Sequence, residues 1–196
     1  MQPMTRAPAL VALALACTAC GNDKARDDAA ATTGCLPAEG GHLRAQLRGA
    51  VTADLEWSSA DMQCAGSPRP DGHGVRLTFA GRLPASSAAS GHGAQPAHQL
   101  RFIFGIDERD IAAGTAQAMP TNLTVILEGE KQLFATRGDQ HCAVESLERS
   151  PLPSADNRRS LVRARGYCLG PATNVAGDAR LLVPTFEFTG VADTEL

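Results

Sequence analysis

From Leu43 to Trp57 the odd positions read Leu43, Ala45, Leu47, Gly49, Val51, Ala53, Leu55, Trp57. The even positions read Arg44, Gln46, Arg48, Ala50, Thr52, Asp54, Glu56. Successive side chains of a strand point to opposite faces, so this alternation predicts a half-buried strand. Its length predicts a bend or bulge at Gly49. The same period recurs at Val75, Leu77, Phe79, Gly81 and Leu83, at Leu100, Phe102, Phe104 and Ile106, and at Leu123, Val125 and Leu127. Gly129-Glu130-Lys131 reads as a turn that returns the chain along 132–136 as a hairpin partner. Strands are also predicted over 141–147, over 161–168 with Val162, Ala164, Gly166 and Cys168 on one side, and over 181–190 with Phe186 and Phe188 buried. Pro184 places that last strand at an edge or a bulge, because proline gives no N–H to a ladder.

Only 107–114, DERDIAAG, reads as helix, with acids early and a glycine to stop it, and it reads equally as an irregular loop. Segments 84–99 and 150–159 read as loops. Eight or nine short strands joined by turns predict an all-β fold, an antiparallel β-sandwich, with a β-barrel as the alternative.

The first thirty residues follow a different rule. An apolar run from Ala7 to Ala16, broken by Pro8, is too short to span a hydrocarbon core of roughly 30 Å. Small residues follow, then Cys17, Cys20 and the abruptly polar GNDKARDD. This stretch resembles the signal peptide of a bacterial lipoprotein. The resemblance covers about the first 25 residues. It implies cleavage after residue 19 and lipid on Cys20, with Cys17 as the alternative acceptor. Cys20 is preferred because the polar tether begins directly after it. A redox reading of the CxxC lacks the strand-to-helix frame that lowers a thiolate pKa. Several acyl chains anchor a protein stably. No Asp follows either candidate cysteine, so the resemblance implies the outer membrane, with the domain facing the periplasm. Residues 20–34 then form a lipidated tether, and 35–196 a single β domain.

Four further cysteines remain: Cys35, Cys64, Cys142 and Cys168. An even number in an exported chain predicts disulfides. Pairing Cys35 with Cys64 and Cys142 with Cys168 encloses the shortest segments. The competing reading, one zinc held by all four, lacks the close CxxC pairs such sites use.

Charge and motifs then narrow the chemistry. A formal charge of −3 gives no sign of the basic patch that nucleic-acid binding calls for. The histidines His42, His73, His92, His98 and His141 show no i, i+4 spacing and no HExxH. No GxSxG elbow is present, and Ser86, Ser87 and Ser90 lie in a small-residue loop. Asp107, Glu108 and Asp110 lack the alternation and glycine of an EF-hand loop, and read as helix N-terminal or solvated charge. Asp54 and Glu56 share a polar strand face. Arg137-Gly138-Asp139 resembles the integrin-binding tripeptide but is also good turn chemistry. Asn122-Leu123-Thr124 fits the N-glycosylation pattern, which carries little meaning in a bacterial lipoprotein.

The chain has six phenylalanines, one tryptophan and one tyrosine. Alternation buries most of the phenylalanines, leaving few rings for stacking on sugars. The expectation is a non-enzymatic structural or protein-interaction domain with an envelope protein partner and neither cofactor nor metal. The alternative is a carrier for a small or apolar ligand, which requires a continuous apolar cavity.

Overall fold

The computed structural model describes residue 35, residues 40–84, 88–89, 99–109, 118–153 and 158–193. These belong to one compact unit, Thr32–Leu196. Thirteen strand segments appear: β1 His42–Gly49, β2 Val51–Ser58, β3 Met62–Pro68, β4 Gly74–Arg82, β5 Ala88–Ala89, β6 Gln99–Asp107, β7 Met119–Glu128, β8 Gln132–Ala135, β9 Cys142–Pro151, β10 Arg159–Cys168, β11 Ala172–Asn174, β12 Arg180–Leu182 and β13 Thr185–Asp193. The pairings are antiparallel throughout.

The fold is all-β and sandwich-like. One sheet runs β3-β4-β6-β7 and the other β2-β1-β13-β10-β9. Two routes join β7 to the second sheet. The start of β9 pairs with β7 while its length pairs with β10, and β8-β11-β12 leads from β7 to β1. Both routes leave from the same edge of β7, and among the described residues β2 and β3 are not paired with each other, so the two sheets are joined at corners without closing into a barrel. The joins leave fewer free strand edges than two separate sheets would have.

Phenylalanines fill the space between the sheets. Phe79, Phe102 and Phe104 from β4 and β6 face Phe186 and Phe188 from β13, and all are buried. Phe104 lies 4.8 Å from Phe186 and 4.9 Å from Phe188, ring centre to ring centre, with the ring planes tilted by about 40°, within the range at which aromatic pairs attract. Trp57 packs edge-on to Phe102 and donates its indole N–H to the Arg82 carbonyl.

Three expectations need correction. Residues 43–57 do not form one long strand. They form the hairpin β1–β2, turning at Gly49 and Ala50, with Gly49 at φ +110°, a conformation glycine adopts without a Cβ penalty. Residues 181–190 also split, into β12 and β13 on either side of Val183-Pro184, and β13 is paired on both edges by β1 and β10. Proline therefore marks a break between strands, not an edge strand. These splits, with β3 and the short β5 and β11, raise the strand count above eight or nine. Of the expected helix 107–114, Asp107 ends β6 and 110–114 lie outside the described residues. So do Ser86, Ser87, Ser90, His92 and His98, and both candidate lipidation sites, Cys17 and Cys20.

Cys35 is bonded to Cys64, and Cys142 to Cys168. Cys142 and Cys168 stand directly opposite one another in the β9–β10 register. Two buried disulfides mark a chain that matures in an oxidising, non-cytoplasmic compartment. Among the described residues no helix is long and apolar enough to cross a membrane.

Candidate functional site

Two polar regions stand out, one on the outside of each sheet. Outside the first sheet, Gly105 of β6 leaves room that a side chain would fill. A Cβ there would meet the Asn122 side chain at 2.5 Å. Arg69, only 10% exposed, lies over this notch. It donates to the Gly105 carbonyl at 3.0 Å and bridges Asp71 at 2.9 Å and Asp139 at 3.2 Å. Burial works against the Arg69 charge, but its bonds to Asp71 and Asp139 outweigh that and raise its pKa. Asn122 Nδ2 donates to Asp139 at 2.8 Å.

This cluster answers two motif questions. The Asp139 carboxylate of the Arg-Gly-Asp turn is held by Arg69 and Asn122, so it is not presented outward as a free ligand group. The amide of Asn122 is engaged in the same network.

Asp107, at the end of β6, is 7% exposed in its side chain and is held by the half-exposed Arg109. The Arg109 guanidinium, joined by the Arg109 backbone N–H, lowers the Asp107 pKa to about 2 against the burial that would raise it. The folded pKa lies below the unfolded value near 3.8. The charged form therefore stabilises the fold above about pH 4, and that contribution fades as pH falls through about 2. Asp107→Asn should be less stable than wild type in urea melts at pH 6, with the gap closing between pH 4 and pH 2. A gap independent of pH would show that the carboxylate charge is not what Asp107 supplies.

The outer face of the second sheet is larger and almost wholly polar. Cross-strand neighbours form register lines. One line reads Glu56, Arg44, Glu187, Arg165, Ser146 across β2, β1, β13, β10 and β9. The next reads Ser58, His42, Thr189, Arg163, Glu148. Charges alternate along the first line, and opposite charges facing across strands attract. Arg44 pairs with Glu56 at 2.8 Å, Arg48 with Asp54 at 2.8 Å, His42 with Glu187 at 3.5 Å, and Arg165 with Glu145 at 3.8 Å. The Arg44 pKa is raised by its hydrogen bond to Glu56.

Two grooves cross this face. One, of about 560 Å³, is lined by His42, Ser146, Glu148, Arg163, Arg165 and Glu187 above Phe188 and Thr189. The other, of about 330 Å³, shares Arg165 and Glu187 with it and continues toward Asp54 and Leu55. At the far end the surface is covered. Leu152, after β9, folds over Leu161 and Val191 to make a small second apolar cluster. Alternation alone would have left Leu161 and Val191 facing solvent.

No group of three or more metal-ligating side chains occurs among the described residues. His42 contributes to the groove, while the His141 carbonyl accepts the Leu169 N–H at 2.8 Å. Asp54 and Glu56 lie on the outer face in ion pairs with Arg48 and Arg44. The sequence placed charges on polar strand faces but missed this groove, because the partners across it are set by register. No protein-family model, no curated protein and no solved structure matches this chain.

Proposed function

We propose that this chain is an exported lipoprotein, lipidated at Cys20 and held at the outer membrane, whose β domain is a non-enzymatic protein-interaction module. The observation that carries this reading is the outer face of the second sheet: five strands of exposed, cross-paired charge around a long open groove. The space between the sheets is packed with phenylalanine, which favours recognition on the surface over carriage of an apolar ligand within. The signal-like leader and the disulfides support export, and the polar 20–34 stretch suits a tether. A mixed-charge face favours a partner of complementary pattern and disfavours nucleic acid.

The test has two parts. Metabolic labelling with a fatty-acid probe should mark the wild type and not Cys20→Ser. Normal labelling of Cys20→Ser, with loss in Cys17→Ser, would move the lipid to Cys17. Separately, a photo-cross-linking residue at Arg165 should give a discrete adduct in intact cells, whereas the same residue at Thr78, outside the first sheet, should not. Equal adducts from both positions would argue against a partner on the second sheet.

A further inference from the structure

We propose that the 560 Å³ groove on the second sheet binds an α-amino acid moiety, with the ligand carboxylate on Arg163 and its ammonium on Glu148. This inference concerns the groove alone and does not rest on lipid anchoring or on a protein partner.

It begins with a bulge. In β9, Cys142 and Val144 point into the core. Strict alternation would send Ser146 and Glu148 inward as well. The β9–β10 register instead shifts between Arg165 and Gly166, so that Arg165 faces Ser146 while Gly166 faces Val144. Glu145 is the extra residue. Beyond it Leu147 packs against the core, and Ser146 and Glu148 turn outward. Bulges re-aim side chains in this way, and often beside functional sites. Here the bulge sets Glu148 directly opposite Arg163.

The two are not an ion pair. Most other charges on this face are matched, but Arg163 and Glu148 have no hydrogen bond or ion pair with any described residue. Paired positions in an antiparallel ladder have Cα atoms about 4.5–5.5 Å apart. Opposite charges thus rise side by side, leaving a gap between their heads. A ligand with both charges on one carbon fits such a gap: Arg163 offers its planar fork to the carboxylate, and Glu148 accepts from the ammonium.

The surroundings match this chemistry. Ser146 adds a hydroxyl, and Thr189, 2% exposed, lies at the groove floor between His42 and Arg163. His42 Nε2 lies at the groove wall, 3.5 Å from Glu187 Oε1. A ligand side chain would run along the adjoining groove toward Asp54.

The experiment titrates the ¹⁵N-labelled full-length protein, in detergent micelles at fixed ionic strength, with glycine and L-lysine. Acetate, ethylamine and tri-alanine serve as comparisons, since the first two carry one charge and the third separates its charges. Glycine and lysine should move the amides of Glu148, Arg163 and Thr189 along saturating curves. The comparison compounds should bind at least about tenfold more weakly, the scale of losing one hydrogen-bonded charge. Arg163→Gln and Glu148→Gln should each weaken glycine about tenfold while leaving Tm unchanged, because both side chains are exposed. Acetate binding as tightly as glycine would reduce the site to an anion site and overturn the proposal. So would non-saturating shifts, or shifts that survive both substitutions.

Discussion

Phe104→Ala should lower Tm by about 6–20 °C, or prevent the protein from accumulating. Phe104 is fully buried and is the ring on which the two sheets meet. Its neighbours are Phe79, Phe102, Phe186 and Phe188, with ring centres 6.2, 6.0, 4.8 and 4.9 Å away. Truncating a buried phenylalanine removes its transfer energy and leaves a cavity, at a cost of about 3–5 kcal/mol. The surrounding rings are held by two hydrogen-bonded sheets and cannot collapse far into the space. A domain of this kind has only about 5–15 kcal/mol in all. At this size each kcal/mol moves Tm by about 2–4 °C. Phe104→Leu should lose less, since it refills part of the cavity. Thermal melts of the two variants check the ranking. An alanine variant melting within about 2 °C of wild type would mean that the sheets do not pack through this ring.

The buried face of each strand was legible because it depends only on period two. The turns were less so, and β1–β2 shows why. Leu43 pairs with Trp57, Ala45 with Leu55 and Leu47 with Ala53. Odd positions meet odd positions, so the buried phase passes through the turn at Gly49 and Ala50 unchanged. A hairpin with that parity has the same pattern as one long strand. At Pro184 the opposite holds. Leu181 and Val183 are buried before it, and Phe186 and Phe188 after it, so the phase slips by one residue. That slip was readable from the sequence and marks the break between β12 and β13. β3 stayed hidden because its Ala-Gly-Ser-Pro tail has turn composition, although Met62 and Cys64 alternate correctly.

The groove was not legible for a different reason. Glu148 faces Arg163 because one residue is inserted at Glu145, and no local residue preference announces that insertion. Nor does periodicity reveal that Leu152 returns to cover Leu161 and Val191. Pattern reports the face on which a side chain lies. Which charges meet across that face is a matter of register, decided by contacts distant in sequence.

The double variant Cys142→Ala/Cys168→Ala should lose about 6–12 °C in Tm. Its bridge spans a sequence separation of 26, and closing a loop of that length in the unfolded chain stabilises the fold by about 3 kcal/mol. At about 2–4 °C per kcal/mol for this size, the shift follows. The location sharpens the expectation. Cys142 belongs to the only stretch of β9 that also pairs with β7, so the bridge ties β10 to the strand that joins the two sheets. Losing it loosens that corner between the sheets as well as enlarging the unfolded ensemble. Both sulfurs are buried, so alanine at both positions leaves a small apolar void and no unmatched charge. Single variants are a poorer probe, because each leaves a buried free thiol able to exchange with the Cys35–Cys64 pair. Under the proposed lipidation at Cys20, labelling should be unchanged in the double variant that accumulates, since a signal peptide would be read before the domain folds. Non-reducing peptide mapping of the wild type must first join Cys142 to Cys168. A map joining Cys35 to either of them would defeat the pairing and the β9–β10 register together, whereas a correct map with an unchanged Tm would leave the register standing and show that the unfolded chain is already compact around this loop.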